Sequence, residues 1–329
     1  MRALLSVLLV GCGADAALTV PATGESCGSC HAAQHAEWSM SAHASSGNSP
    51  VFQAMLPRVE ARWGPKAARQ CVNCHQPNHG DDAVISCVSC HGAVGHAGAR
   101  DGRLHVDLDL PLAGPRGGID AGVHTSRQTG FLRSAELCGT CHEVTGPGLF
   151  VEPTLTEYRE SGHDGGCVDC HMPVVNGRTS HRFVGVDPPW GASKSVRTEA
   201  AGATRAMLAS ALKLGLSCQS GECSVTLTNV GAAHHVPTGA SFLRRIWVEA
   251  SVDGETSTLM ELGALLESDG SPVALPTDAD TVVHRGLAPG ETRRLIITGP
   301  PGGTADVRLR ARAIRGDTLE ALGLSDRAD

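Results

Sequence analysis

Aromatic residues are scarce in this chain of 329 residues, of which they make up only 3%. The whole sequence holds 4 Trp, 1 Tyr and 5 Phe. Aromatic side chains carry much of the buried apolar area in an ordinary globular core. A conventional aromatic-rich core is therefore excluded, and another source must supply the missing apolar area.

Long apolar segments are missing as well. The apolar run at residues 3–10 is shorter than the roughly 20 residues that span a bilayer. It follows a basic Met1-Arg2 and fits a secretory signal. The run closes in Leu-Val-Gly-Cys12, which resembles the lipobox of bacterial lipoproteins and implies that Cys12 carries lipid. The alternative is an ordinary signal peptide cut after Ala17.

An excess of positive charge is also absent. The formal net charge is −7 and the isoelectric point is about 6.1. No basic patch with interleaved aromatic residues occurs in the sequence, so nucleic acid is not an expected partner. An acidic surface is suited to basic protein partners.

The chain does contain one pentapeptide pattern, C-x-x-C-H, five times, at residues 27–31, 71–75, 87–91, 138–142 and 167–171. This is the attachment pattern of a c-type haem. The two thiols add to the vinyl groups of the porphyrin, and the adjacent histidine binds the iron. We therefore expect five covalently bound haem c groups. Their covalent links are Cys27, Cys30, Cys71, Cys74, Cys87, Cys90, Cys138, Cys141, Cys167 and Cys170, and their proximal iron ligands are His31, His75, His91, His142 and His171.

Zinc is the alternative cofactor, because paired C-x-x-C motifs also build zinc ribbons. A zinc site has no reason to place histidine directly after the second cysteine in every copy, and all five copies do so. Five porphyrins would also supply the apolar area that the few aromatic residues do not. We accordingly expect the haem-free chain to be poorly folded.

Three of the 13 cysteines lie outside these motifs. Cys12 is the lipid candidate, and Cys218 and Cys223 flank a predicted tight hairpin. Facing positions across a hairpin bring two thiols close enough for a disulfide, which persists in an oxidising compartment. Two free thiols are the alternative.

The sequence divides into six segments. These are a signal peptide (1–11), a tether (12–26), a pentahaem domain of short helices and loops (27–190), a linker helix (191–213), a β-domain (214–317) and a frayed tail (318–329). Helices are predicted over 32–40, 51–63, 136–141 and 195–214, and the glycine-rich stretch 92–130 is predicted to be irregular.

The β-domain shows period-two patterns bounded by turn residues. Strands are predicted at 224–228, 246–252, 259–266, 292–298 and 306–314. Several short strands at this spacing favour an antiparallel, Ig-like β-sandwich. The fold class is therefore α + β, with two domains.

The first motif and the residues after it resemble the cytochrome c-552/c-554 domain of multihaem c-type cytochromes. The residues that carry this resemblance are the motif itself and the following Trp38, Ser41 and His43, and then Gly166 to Pro173 and His181-Arg182-Phe183. The resemblance covers most of residues 25–190. It implies that His43 and His181 are distal haem ligands.

A second resemblance lies in residues 228–239, which contain Asn-Val-Gly-Ala-Ala-His-His-Val-Pro-Thr-Gly. They look like a segment of the β-domains that follow haem domains in related cytochromes. The resemblance implies that His234 or His235 reaches a haem or seals the domain interface. A loop histidine bonded to the backbone is an equal alternative.

The chain has 16 histidines, of which 5 belong to the motifs and 11 remain. That surplus is enough to give every iron a second histidine. The distal candidates are His43, His96, His124, His181 and His235. Met40 and Met55 are other available ligands, and methionine would raise the reduction potential.

Iron with two histidine ligands is coordinatively saturated and passes electrons without binding substrate. We therefore expect an exported, periplasmic or outer-membrane-associated lipoprotein of a Gram-negative bacterium that carries electrons, with no catalytic residue assigned. Its expected partners are a reductase, a quinol-oxidising complex or other cytochromes, together with the membrane. The alternative is an oxidoreductase acting on a small nitrogen or sulfur compound at one open haem, although the single Tyr158 gives it little support. A docking role for the β-domain is compatible with either.

Overall fold

A computed structural model describes residues 24–78, 83–187, 189, 192–219, 221–252, 254–298 and 305–327. The predicted signal peptide, the lipid candidate Cys12 and most of the predicted tether lie outside the described residues. Among the described residues, no helix combines the length and apolar character needed to cross a membrane.

The first half of the chain forms short helices. They are α1 (Gly24–Gly28), α2 (Ala32–Trp38), α3 (Pro50–Trp63), α4 (Pro65–His75), α5 (Cys87–His91), α6 (Ala135–His142), α7 (Thr154–Glu160) and α8 (Cys167–His171). Four of these helices end at the histidine of a C-x-x-C-H motif. Each such motif is therefore the last turn of a helix, and its cysteines and histidine project from one short rigid element.

Local sequence sets the ends of these helices. Proline occupies the first position of α3 and of α4, where its missing N–H costs no helical hydrogen bond. Between them, Gly64 has a φ of 85°, a left-handed backbone conformation that favours glycine. The Ser134 hydroxyl caps α6 by accepting a hydrogen bond from the Leu137 N–H at 3.3 Å. These signals place α3 next to α4, whose last turn is the C-x-x-C-H motif at residues 71–75.

Short strands connect the helices. They are β1 (Ala93–His96), β2 (Leu104–Val106), β3 (Leu112–Gly114), β4 (Ser126–Gln128), β5 (Glu143–Thr145), β6 (Val151–Pro153), β7 (Val174–Val175) and β8 (Arg178–Thr179). The expectation that residues 92–130 are irregular is wrong in part, because β1 to β4 lie there. These strands are only three or four residues long, so no period-two pattern predicts them. Their pairing is set across intervening loops, as between Leu112 and Ser126.

A longer helix, α9 (Lys194–Ala211), leads into the C-terminal region. The strands that follow are β9 (Leu212–Gln219), β10 (Glu222–Asn229), β11 (Arg245–Val252), β12 (Glu255–Leu262), β13 (Ala264–Ser268), β14 (Ser271–Val273), β15 (Thr281–His284), β16 (Thr292–Thr298) and β17 (Ala305–Arg312). In the described part they form three antiparallel sheets, with orders β16-β10-β9, β12-β11-β17 and β14-β13-β15. The predicted α + β fold class is confirmed.

The first two of these sheets pack face to face. Leu227 and Val225 from β10 meet Ile246 and Val248 from β11, and all four side chains are at most 1% exposed. Alternation along these strands sends one side chain in two to this core, which is the arrangement of a sandwich. The predicted single strand at 259–266 is two strands, since Gly263, at a φ of 134°, separates β12 from β13.

The hairpin between β9 and β10 carries a disulfide. Cys218 and Cys223 are directly paired in the register of the two strands and are joined by an S–S bond. The bond closes the end of the hairpin that lies away from the sandwich core.

The last described helix, α10 (Gly316–Ala321), corrects the expectation that residues 318–329 form a frayed tail. Leu319 is 2% exposed and shares a hydrophobic cluster with Met55 and Val59 of α3. The guanidinium of Arg58 also donates a hydrogen bond to the Ala321 carbonyl at 3.0 Å. The C-terminal segment is therefore the junction between the two regions. Burial of its leucines against a helix that lies far away in sequence holds it there.

Candidate haem-binding centres

We number the C-x-x-C-H motifs one to five in chain order. Four proximal histidines each face a second histidine within the described residues. The pairs are His31 with His124 at 6.2 Å between ring centres, His91 with His181 at 6.3 Å, His142 with His43 at 6.3 Å and His171 with His234 at 6.2 Å. Their partners come from four different parts of the chain.

These separations test whether the residues fit a haem. Two imidazoles that bind one metal ion from opposite sides, each at ~2.0 Å, have ring centres about 6 Å apart. All four pairs match this value. The first, third, fourth and fifth motifs therefore fit a c-type haem with a histidine on each side of the iron.

Backbone carbonyls orient many of these imidazoles. The Nδ1 of His91 donates to the Ala113 carbonyl at 2.6 Å, and the Nδ1 of His171 donates to Val184 at 2.7 Å. On the opposite side, the Nδ1 of His181 donates to Thr179 at 3.1 Å. A proton held on Nδ1 leaves Nε2 as the free lone pair, which is the nitrogen that a metal then binds.

Burial keeps the imidazoles neutral, which is their ligating form. Burial, together with neighbouring histidines, lowers the pKa of His43 to about 3. The same causes lower the pKa of His142 to about 4. Desolvation also lowers the pKa of His75, His91, His181 and His234. At neutral pH these rings carry no charge and are ready to bind a metal.

The second motif differs from the other four. The ring of His75 is stacked on Phe52, with 4.1 Å between centres and 14° between planes, and its Nδ1 donates to the Ser46 carbonyl at 2.9 Å. Within the described residues, no second histidine lies opposite His75 as in the other four motifs. His79 lies outside the described residues. The proximal side of this centre is thus built like the others, while its other side is not paired.

The structure sorts the predicted distal ligands into two groups. His43, His124 and His181 each face a proximal histidine. His96 instead packs against Phe131, with 5.8 Å between ring centres. The prediction that His96 is a distal ligand is therefore wrong for the arrangement seen here.

The assignment of His235 is corrected to His234. The ring of His234 faces His171, while the Nδ1 of His235 lies 3.3 Å from Glu157. The two neighbours point to different sides because the Nδ1 of His234 bonds the His235 carbonyl at 2.8 Å, and the His235 N–H bonds Glu157. Sequence reasoning could name the pair but could not choose between adjacent residues.

Thiols of different motifs lie against one another. Thiols lie close enough to interact in three pairs, Cys27 with Cys87, Cys74 with Cys141, and Cys138 with Cys167. These contacts link the first motif to the third, the second to the fourth, and the fourth to the fifth. Cofactors attached to these sulfur atoms would have neighbouring edges.

The C-terminal region completes these centres. It supplies His234, and the guanidinium of its Arg244 makes two hydrogen bonds to Asp187, at 2.6 and 2.7 Å. The Thr238 hydroxyl donates to Glu157, whose carboxylate also accepts the His235 N–H. The C-terminal region, for which a docking role is an expectation from the sequence, therefore also supplies the histidine that faces the fifth motif.

The zinc alternative requires four ligands around one ion. Throughout the described residues, no three side chains of the types His, Cys, Asp and Glu converge on one point. The paired-histidine geometry instead suits a metal that takes its other ligands from a cofactor.

Comparisons with known proteins give a structural match. No known protein family matches the sequence, and no curated protein matches it either. The structure is similar to the crystal structure of a penta-heme cytochrome c552 from Thermochromatium tepidum. The TM-score is 0.69 and the identity is 19%, over 92% of this chain and 94% of the other. The two proteins share one fold along almost their whole length, including the β-rich C-terminal region.

Proposed function

We propose that this protein is a pentahaem c-type cytochrome that carries electrons through five covalently bound haem c groups. The observation that carries the proposal is the set of four histidine pairs, each with its ring centres 6.2 or 6.3 Å apart. The structural neighbour supports it, since that protein is itself a penta-heme cytochrome.

The ligand geometry favours electron transfer over chemistry on a substrate. An iron held by two histidines has no free position, so it can change oxidation state but cannot bind a reactant. Its potential depends on the axial ligands, on hydrogen bonds to them and on burial. Haems attached to thiols that lie close together would have neighbouring edges, which is the arrangement that serves transfer from one haem to the next.

Histidine variants test this assignment. His124→Ala removes the partner of His31, whereas His105→Ala alters an exposed histidine on β2. In oxidised, haem-loaded protein, EPR spectroscopy of the His124 variant should show one low-spin signal replaced by a high-spin signal. The His105 variant should match the parent, and haem content should stay at five per chain in both. Unchanged low-spin signals in His124→Ala would contradict the ligand assignment.

A second candidate function is reduction or oxidation of a small nitrogen or sulfur compound at the second motif. It is favoured by His75, which lacks the facing histidine that the other four motifs have within the described residues. EPR of the parent protein separates the two functions. A high-spin signal that shifts on addition of nitrite or hydroxylamine supports an open site at this centre, and five low-spin haems support a carrier alone.

We also propose that the carrier is an exported lipoprotein held at a membrane of a Gram-negative bacterium through lipid on Cys12. Two or more acyl chains hold a protein firmly at a bilayer, and a single chain does not. Its partners would be a reductase, a quinol-oxidising complex or other cytochromes. Cys12→Ser should move the protein from the membrane fraction to the soluble exported fraction, and membrane retention of this variant would contradict the anchor.

A further inference from the structure

Phe183 lies between two of the histidine pairs. Its ring meets His43, the partner of the fourth motif, with 4.6 Å between centres and an angle of 64°. It also meets His181, the partner of the third motif, at 6.1 Å and 89°. Both contacts are edge-to-face arrangements, in which the positive edge of one ring points at the face of the other.

The backbone at Phe183 adopts a strained conformation that its surroundings hold in place. Its φ is 47°, in the left-handed region that a bulky residue rarely adopts. Both flanks are held in place. The His181 N–H donates to Glu37 at 2.7 Å, and the Val184 carbonyl accepts from His171 at 2.7 Å. Strain of this kind persists only where the surrounding structure over-determines it, and it clusters at functional sites.

The place of Phe183 among the motifs is also distinctive. The third and fourth motifs are neighbours, since the Cys90 thiol interacts with the thiols of Cys138 and Cys141. Phe183 touches the histidine that faces each of these two motifs, His181 for the third and His43 for the fourth. Its ring therefore lies between the ligand sets of the third and fourth motifs.

We propose that Phe183 is a positioning residue that sets the ring planes of His43 and His181 and couples the third haem to the fourth. This inference rests on the proposed two-histidine ligation of those haems. The planes it would set differ, since His91 and His181 are 15° apart while His142 and His43 are 50° apart. The angle between two axial imidazoles governs the anisotropy of a low-spin ferric EPR signal, so the two haems should give distinct signals.

Three variants of the haem-loaded chain test the proposal. Phe183→Leu removes the aromatic ring and keeps a bulky side chain. Phe183→Gly also removes the ring but relieves the backbone, because glycine adopts positive φ freely. Phe131→Leu is the matched control, as Phe131 contacts His96, which faces no proximal histidine. The readouts are the EPR spectrum of the oxidised protein and a stepwise potentiometric titration.

We expect both Phe183 variants to shift two low-spin signals and the potentials of the same two haems, while Phe131→Leu matches the parent. A Phe183→Gly protein with the parent spectrum and potentials would overturn the proposal, since the ring would then have no role. Shifts of equal size in Phe131→Leu would also overturn it. If the parent protein itself lacked low-spin signals for these haems, the underlying ligation would be at fault, which is a different result.

Discussion

The two regions of this molecule bury their interiors with different materials. Of the twelve largest fully buried side chains among the described residues, only Val59, Val88 and Thr140 precede α9. The C-terminal region contributes leucines, valines and one isoleucine, such as Leu227, Val248 and Ile246 from paired strands. The N-terminal region has few fully buried side chains, and its motif cysteines are half-buried or, at Cys30 and Cys170, exposed. One region is a protein core, and the other is a frame for cofactors.

The difference shows what short helices gain from covalently bound cofactors. Helices of five residues, such as α5 and α8, are too short to be stable alone in water. Each carries two cysteines and a histidine, so a bound haem would tie its last turn to a large apolar surface. Porphyrins then replace the aromatic side chains that the sequence lacks.

The largest expected effect comes from omitting the cofactor. If the chain is produced without haem attachment, residues 24–187 should lose ordered structure, while the sheets of the C-terminal region keep their core. Hydrogen–deuterium exchange read by mass spectrometry should show fast exchange in the first region and slow exchange in β10 and β11. Native-like protection of both regions would remove the contrast between them.

A truncation at the junction should have the next largest effect. Leu319→Ala removes a side chain that is 2% exposed and packs against the cluster containing Met55 and Val59. We expect haem-loaded protein to lose about 2–5 kcal/mol of unfolding free energy, the range of Leu→Ala changes in cores. Denaturant titration measures it.

The matched control for this truncation is Leu216→Ala, which alters a leucine that is 46% exposed on β9. Its effect should stay within about 0.5 kcal/mol, because surface substitutions usually do. Equal losses for the two variants would mean that the junction does not couple the regions.

A smaller effect is expected from the ion pair between Arg244 of the C-terminal region and Asp187 of the N-terminal region. Arg244→Ala leaves Asp187 without its partner. Removing one member of a fully buried pair costs ~3–5 kcal/mol. Since the Asp187 side chain is 33% exposed, we expect a loss of about 2 kcal/mol by the same measurement. Arg308→Ala breaks a pair with Asp306 that is exposed on both sides and should cost about 0.5 kcal/mol or less. Equal losses of unfolding free energy for Arg244→Ala and Arg308→Ala would contradict a special role for the ion pair between the two regions.

The smallest effect concerns pH. Burial raises the pKa of Glu152 to about 7, and this carboxyl is close enough to interact with Cys71 and Cys74 of the second motif. Reduction of a haem bound to this motif would add negative charge beside Glu152, which would favour the protonated carboxyl and raise its pKa further. The reduced protein therefore takes up a proton, and the potential should fall as pH rises through about 7.

Glu152→Gln should flatten this dependence in potentiometric titrations repeated at several pH values, because glutamine does not titrate. Glu160→Gln changes an exposed carboxylate on α7 and is the control. A slope that survives in Glu152→Gln would assign the proton to another group.

Features that depend on neighbouring residues were predictable. The helix expected at 136–141 is Ala135–His142 in the structure, because a capping serine and a helical run lie within a few residues. The strand expected at 292–298 is β16 with the same bounds, since alternation is read along one segment. The turn residues between Cys218 and Cys223 likewise predicted the hairpin that joins β9 and β10.

Features that depend on distant segments were not predictable. Nothing around His124 shows that it will face His31, and nothing near His96 shows that it will not face another motif. The tail at 318–329 looks featureless until its leucines are seen against α3. In each case the decisive neighbour comes from another part of the chain.

Taken by itself, the sequence determined where a haem can attach, because two thiols and a histidine within five residues form a complete local attachment unit. It also determined the α + β class, through helical and alternating patterns that act over single elements. Only the tertiary structure decided which histidine faces which motif, that His234 and not its neighbour takes part, and that Phe183 lies between two pairs. Those choices depend on packing between remote segments, where free energy comes from burial and hydrogen bonding that no local pattern encodes.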